Sequence, residues 1–274
     1  MIPLNAITQW RKEAPWLLQS QVEQDLVLSR ALVSLYQQEI IQKTLAFRGG
    51  TALNKLFVGK PARYSEDLDF VQINNEPMGH VLTAIRLALD PWLGEARWRQ
   101  SERSVRLIYR FQSEDQPSVP LRLKIEINTI ESFTLFGYQH KKYGINNHWF
   151  NGEAMISTYC LEELMGTKLR ALYQRAKGRD LYDLWLGITQ LNMDCEKVLQ
   201  AFHHYNKANR IAISRAEFEK NLLPKMKIQE FLKDSSVVLT ESSNWNPQQG
   251  FEVVMDKLVT KLAGEQWKLT EKIK

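Results

Sequence analysis

Between residues 20 and 43 (SQVEQDLVLSRALVSLYQQEIIQK) apolar residues recur every three or four positions, the spacing of one helix face. The period then changes. LAFRGG (45–50) reads as a short strand entering a glycine turn, and TALNKLFV (51–58) returns to helical spacing with Thr51 as its candidate cap. EDLDFVQI (66–73) predicts a second strand and VLTAIRLALDPWL (81–93) a second helix. SVRLIYRF and PLRLKIEIN are strands as well. In the latter Leu121, Leu123, Ile125 and Ile127 alternate with Arg122, Lys124, Glu126 and Asn128, which makes one face apolar and the other polar. From Tyr159 the pattern is helical, over 159–177, 180–191, 194–206, 214–222 and 250–268, with 235–250 read as an exposed connection. The expected architecture is an α/β (α+β) domain over residues 1–150 followed by an all-helical domain over 151–274.

Length and composition set wide limits. At 274 residues, 44% hydrophobic and 24% charged, the chain is an ordinary globular sequence that can bury a sizeable core. It holds no apolar run near the ~18 residues of a membrane span. The opening MIPLNAITQWRKEAPW lacks the pattern of a secretory signal, so a cytoplasmic protein is expected. Two cysteines, Cys160 and Cys195, are too few for a disulfide framework. The formal net charge is +5, and its distribution is uneven. Residues 207–233 hold seven basic side chains against three acidic ones, and the tail from Lys257 to Lys274 adds five lysines. Such clusters are either solvated helix faces or contacts for a phosphate backbone.

The chemistry starts from carboxylates. Asp67 and Asp69 are two residues apart on a predicted strand, so both leave the same face while Leu68 and Phe70 point to the core. Glu126 is polar on its own alternating strand, and an adjacent place in the sheet would bring it to the same patch. Three carboxylates together call for a cation, and Mg²⁺, or Mn²⁺, suits oxygen ligands and leaves positions for phosphates. Gly49 and Gly50 let backbone N–H groups approach a triphosphate, just before a helix that begins near Thr51. Ser65 adds a hydroxyl nearby. Taken singly, a Gly-Gly turn is most often only a turn and an Asp-x-Asp most often surface. The second cluster lies in TKLRALYQRAKGRDLYDLW (167–185). On one continuous helix Lys168, Leu172, Arg175, Arg179 and Asp183 share a face, where Lys168, Arg175 and Arg179 could hold phosphates. Alternatively Arg179 and Asp183 form an i,i+4 pair, and Asp180 caps a helix restarting after Gly178.

FRGGTALNKLF, YSEDLDFVQ, LKIEIN and ISTYCLEELMGTKLRALYQRAKGRDLYDLW, in that order, resemble the AbiEii/AbiGii (MenT-like) nucleotidyltransferase toxins across roughly residues 45–190. The resemblance implies a polymerase-β-like nucleotidyltransferase fold with a mixed sheet, whose helical C-terminal domain completes the active site. It also implies transfer of a nucleoside monophosphate from an NTP with Mg²⁺, in some members onto the tRNA 3′ end, and a cognate antitoxin within a phage-defence pair. Residue by residue, Ser65 and Asp67 match the family's Ser-x-Asp, Lys168 its essential lysine, and either Asp180 or Asp183 its downstream acid. Gly49, Gly50 and Thr51 match the triphosphate loop, and Asp69 and Glu126 complete the carboxylate triad. Two alternatives stay open at this point: NMP transfer to a protein hydroxyl or small molecule, and a non-catalytic binding module on the same scaffold.

Overall fold

The computed structural model describes residues 2–59, 62–236, 239 and 244–268. The chain divides into two compact units, Met1–Cys160 and Leu161–Lys274. The division falls about ten residues beyond the expected end of the first domain at 150, because residues 151–159 form a strand of the sheet rather than the approach to the helices.

The first unit runs α1 (Leu4–Trp10), α2 (Gln19–Tyr36), α3 (Glu39–Thr44), β1 (Leu45–Arg48), α4 (Gly49–Leu56), β2 (Asp67–Gln72), α5 (Gly79–Leu93), β3 (Arg97–Gln100), β4 (Ser104–Gln112), β5 (Pro120–Asn128), β6 (Tyr138–Asn146) and β7 (Asn151–Tyr159). One seven-stranded mixed sheet has the order β3-β4-β5-β2-β1-β7-β6. The β1–β7 and β2–β5 pairs are parallel and the others antiparallel. The helix expected over 20–43 is two helices, α2 and α3, interrupted at residues 37–38.

The core lies where α2 packs on the sheet. Leu26, Val27, Leu32 and Tyr36 of α2 are fully buried, as are Phe47, Leu68, Leu107, Leu123, Ile125 and Ile127 from the four central strands β1, β2, β4 and β5. The Phe47 and Phe70 rings meet with centroids 5.3 Å apart. Each such side chain contributes roughly 1.5–3 kcal/mol by leaving water. α2 is enclosed on several sides, so its polar residues find protein partners: Asp25 accepts from Trp10 Nε1 and Lys55 Nζ, and Gln24 donates to the Arg122 carbonyl. Core packing also settles the sheet register. A one-residue slip of β5 would turn Ile125 and Ile127 outward and push Glu126 into the apolar core.

The second unit consists, among the described residues, of α6 (Leu161–Gln174), α7 (Gly178–Gln190), α8 (Cys195–Ala208), α9 (Arg215–Lys225), α10 (Gln229–Ser236) and α11 (Pro247–Lys257), with a short 3₁₀ turn after α11. Asp194 caps α8, accepting from the Glu196 and Lys197 amides, and Ser214 with Glu217 forms a capping box on α9. Within the connection read over 235–250, residues 237, 238 and 240–243 lie outside the described residues, as do Lys272 and Lys274 of the basic tail. No helix among the described residues is long and apolar enough to cross a membrane.

Candidate active site

Pairing in the sheet brings the first cluster together. Asp67 and Asp69 of β2 sit beside Lys124 and Glu126 of β5, and Arg106 of β4 sits opposite Glu126. On the other side of β2, Arg48 at the end of β1 is opposite Asp69. Period-two alternation places Asp67, Asp69, Lys124, Glu126 and Arg106 on the face turned away from Leu68, Ile125 and Leu107.

Lys124 Nζ lies 2.8 Å from Asp67 Oδ2 and 3.3 Å from Glu126 Oε2, and Arg106 Nη2 lies 2.8 Å from Glu126 Oε1. Arg48 turns instead to Glu131, at 2.8 Å. Burial pushes the Asp69 carboxyl above the usual carboxylate range and the Asp67 charge adds to this, against Lys124 and Arg48. Burial acts the same way on Glu126, but Arg106 and Lys124 outweigh it and hold that carboxyl low.

The donor chemistry fits a hard divalent cation: three carboxylates on one sheet face, one of them raised by burial and by its neighbour. Among the described residues no three His, Cys, Asp or Glu side chains stand ready as a ligand set. The Lys124 ammonium lies between Asp67 and Glu126, a position in which it already supplies positive charge. An ion shared by those two carboxylates would displace it.

The glycine loop lies against the same carboxylates. Gly49 has φ +81°, and a Cβ there would fall 2.7 Å from Asp69 Oδ2. Backbone conformation and space therefore both require glycine at this position. α4 starts at Gly49 with Arg48 as its N-cap and no side-chain cap, so Thr51 is not the cap expected from the sequence. The turn at Gly49 starts the helix early, leaving Thr51 buried in its first turn, where its hydroxyl donates to the Asp67 carbonyl at 2.7 Å. Thr51 thus ties the loop to the carboxylate strand. Gly50 follows in the same turn, its carbonyl accepting from Asn54 Nδ2. Ser65, half-buried just before β2, lines a cleft of about 150 Å³ that also holds Lys55 and Asp25.

The second cluster is internal to the helical unit. The continuous-helix arrangement does not form: α6 ends at Gln174 and α7 restarts at Gly178. Lys225 holds the end of α6, its ammonium donating to the Leu172, Tyr173 and Arg175 carbonyls at 2.5, 2.9 and 3.0 Å. Burial pulls that ammonium down to about 8. Gly178 leaves no room for a side chain, since a Cβ would lie 2.0 Å from the Phe231 carbonyl oxygen. The break lets α7 bring both candidate acids to Lys168: Nζ is 3.0 Å from Asp180 Oδ1 and 2.8 Å from Asp183 Oδ2, with both carboxylates fully buried. Arg175 grips Asp180 with two bonds, at 2.7 and 2.8 Å. Burial opposes the charge on Asp180, but Lys168 and Arg175 outweigh it and hold the carboxyl far below its usual range. Neither small-scale alternative forms. Asp180 does not cap α7, and Arg179 turns to Asp234, with Nε 3.7 Å away, rather than to Asp183.

Sequence reasoning passed over Lys124, Arg106 and Arg48. The signal for Lys124 was present, because the alternation of β5 puts it on the same face as Glu126. Arg106 and Arg48 needed the strand order. The stretch around KKYGINN is the edge strand β6, whose residues are mostly solvated and show no apolar alternation.

Comparison with known proteins follows the same lines. The fold is similar to that of MenT4, the nucleotidyltransferase toxin Rv2826c of Mycobacterium tuberculosis H37Rv, with a TM-score of 0.65 at 16% identity over 94% of this chain and 90% of that one. It is also similar to a candidate nucleotidyltransferase from H. pylori, with a TM-score of 0.54 at 18% identity over 89% of this chain and 96% of that one. No curated protein matches the sequence. Residues 30–256 match the profile of the nucleotidyl transferase AbiEii toxin of type IV toxin–antitoxin systems. With the glycine loop, the paired aspartates and Glu126 in register on one mixed sheet, the chain belongs to the AbiEii family of nucleotidyltransferase toxins.

Proposed function

We propose that this toxin-family nucleotidyltransferase moves a nucleoside monophosphate from an NTP to RNA in the cytoplasm, with the tRNA 3′ end as acceptor and translation as the process blocked. The observation that carries the reading is the β2–β5 register, which sets Asp67, Asp69 and Glu126 on one face beside the Gly49 turn. In the reaction the acceptor hydroxyl oxygen bonds to the α-phosphorus, the bond to the bridging oxygen breaks, and pyrophosphate leaves. Asp67, Asp69 and Glu126 would hold Mg²⁺ or Mn²⁺, which when bound supplies positive charge to the phosphates and acidifies a bound hydroxyl.

The remaining work falls to the chain. The uncapped amides at the start of α4, with Gly49 and Gly50, receive phosphate oxygens, and Thr51 keeps that loop fixed to β2. Ser65 stands at the entry to β2, where its hydroxyl adds a hydrogen bond to the bound nucleotide. Lys124 and Arg106 balance carboxylate charge until substrate arrives. In the helical unit, activity depends on Lys168, held between Asp180 and Asp183. A cognate antitoxin is the expected protein partner.

The test offers α-labelled NTPs, one at a time with Mg²⁺, to total tRNA and total protein, beside Asp67→Asn. Label on tRNA that vanishes in the variant supports the reading. Label on protein overturns the acceptor, and no label with any NTP overturns the reaction.

A further inference from the structure

The polar face of the sheet does not end at the carboxylates. Toward the β3 edge it continues as a field of arginines. Arg122 precedes Lys124 by two residues on β5, a step of ~6.8 Å along the strand, and Arg110 of β4 is directly opposite Arg122. Farther out, Arg99 of β3 is opposite Arg106, and Arg97 is opposite Ile108, which shares this face. Arg97, Arg99, Arg110 and Arg122 are all exposed. Among the described residues none of their guanidiniums has an ion pair, in contrast to Arg106, which holds Glu126. Glu95 and Glu102, the acids nearest to Arg97 and Arg99 in sequence, lie outside the strands, and Glu126, four residues after Arg122 on β5, is held by Arg106 and Lys124.

Like charges directly opposite one another weaken a sheet, and Arg110–Arg122 is such a pair, neither guanidinium being held in an ion pair among the described residues. Folding gains nothing from the arrangement, whereas a polyanion does. Arg110 and Arg122 also line an open cleft of about 570 Å³ with Tyr64 and the exposed Glu66, on the segment that leads into Asp67.

We infer that this β3–β4–β5 face holds the sugar–phosphate backbone of the RNA acceptor, guiding its end toward Asp67, Asp69 and Glu126. The inference rests on RNA as the acceptor and assigns the chain's own residues to it. Arginines on adjacent strands, rather than a single basic loop, suit a backbone crossing the strands. No aromatic ladder accompanies them, so the contacts are electrostatic and indifferent to sequence.

The test measures labelled tRNA binding to the full chain by fluorescence polarisation across a salt series. It compares wild type with Arg110→Gln/Arg122→Gln, and with Arg110→Lys/Arg122→Lys as the charge-preserving control. Poly-L-glutamate serves as a competitor, and circular dichroism checks the fold. Losing two phosphate contacts to a single strand lowers the slope of log K against log salt by about 1.4 and weakens binding roughly 25-fold at 0.1 M salt. The lysine pair restores most of both. Wild type that does not bind tRNA, or a glutamine pair with unchanged slope, overturns the inference. Poly-L-glutamate displacing tRNA at equal charge concentration also overturns it, in favour of an acidic protein surface. The reaction and the surface fail separately. Arginine-dependent tRNA binding without NMP transfer to any acceptor upholds the face and sinks the reaction, whereas transfer to tRNA by a glutamine pair of unaltered affinity does the reverse.

Discussion

Replacing Lys168 by Met separates what the buried cluster of the helical unit does for stability from what it does for activity. The Lys168 side chain is 6% exposed, and the two carboxylates it bridges are at 0%. Methionine fills nearly the same volume but removes the ammonium. Asp180 keeps its bidentate bonds to Arg175, and Asp183 loses an ammonium that lay 2.8 Å from its buried carboxylate. Stripping one partner from a buried charge pair costs about 3–5 kcal/mol, because the remaining charge stays desolvated. At about 2–4 °C per kcal/mol for a chain of this size, Tm should fall by roughly 6–20 °C. Adding Asp183→Asn removes the carboxylate charge that faced the ammonium and should recover part of the loss, with a coupling energy of about 2 kcal/mol or more. Urea unfolding followed by tryptophan fluorescence, with the four proteins of the cycle, gives these numbers. A Lys168→Met protein within about 1 kcal/mol of wild type would refute the reasoning and release the ammonium from an architectural role. Transfer assays on these variants belong well below the lowest Tm, so that lost activity is not lost folding.

Other consequences of the geometry are as direct. Gly49→Ala places a methyl group against the Asp69 carboxylate at a φ of +81°, and should cost about 1–3 kcal/mol and abolish transfer; a variant of wild-type Tm and activity contradicts the close approach. The depressed Asp180 carboxyl binds protons more weakly folded than unfolded, so its contribution is complete above about pH 4 and drains away as pH falls below that. Urea midpoints at pH 7, 5, 4 and 3 should therefore drop steeply below pH 4, and much less steeply in Asp180→Asn; equal acid sensitivity of the two proteins would argue against the ion cluster. Lys124→Met removes the ammonium between Asp67 and Glu126, and Mn²⁺ followed by electron paramagnetic resonance should bind about tenfold tighter. Unchanged or weaker Mn²⁺ binding would mean that the lysine and the ion do not compete for those carboxylates.

Legibility followed the range of the interactions. β5 was readable to the residue, since Leu121 to Asn128 alternate without a break, and β2 carried Asp67 and Asp69 on one face for the same reason. The β2–β5 pairing joins residues far apart in sequence, so the meeting of Glu126 with Asp69 was an expectation that only the register could deliver. β6 and β7 pass too little apolar surface inward to announce themselves. The acids on α7 were visible, but not their joint hold on Lys168, because that depends on where α6 stops. Lys225 helps to fix the stop from another helix. The Arg179–Asp183 pairing failed for a similar reason: the partner that Arg179 takes, Asp234, belongs to α10, outside any local spacing rule.

The central claim is that the cluster around Asp67, Asp69 and Glu126 serves transfer of a nucleotidyl group. Parallel reactions with α-labelled and γ-labelled NTP test it most directly, with the acceptor separated from free nucleotide and pyrophosphate. The account predicts α-label on the acceptor and γ-label only in pyrophosphate, with both signals lost in Asp67→Asn. Label from the γ-position on the acceptor would mean phosphoryl transfer and contradict it.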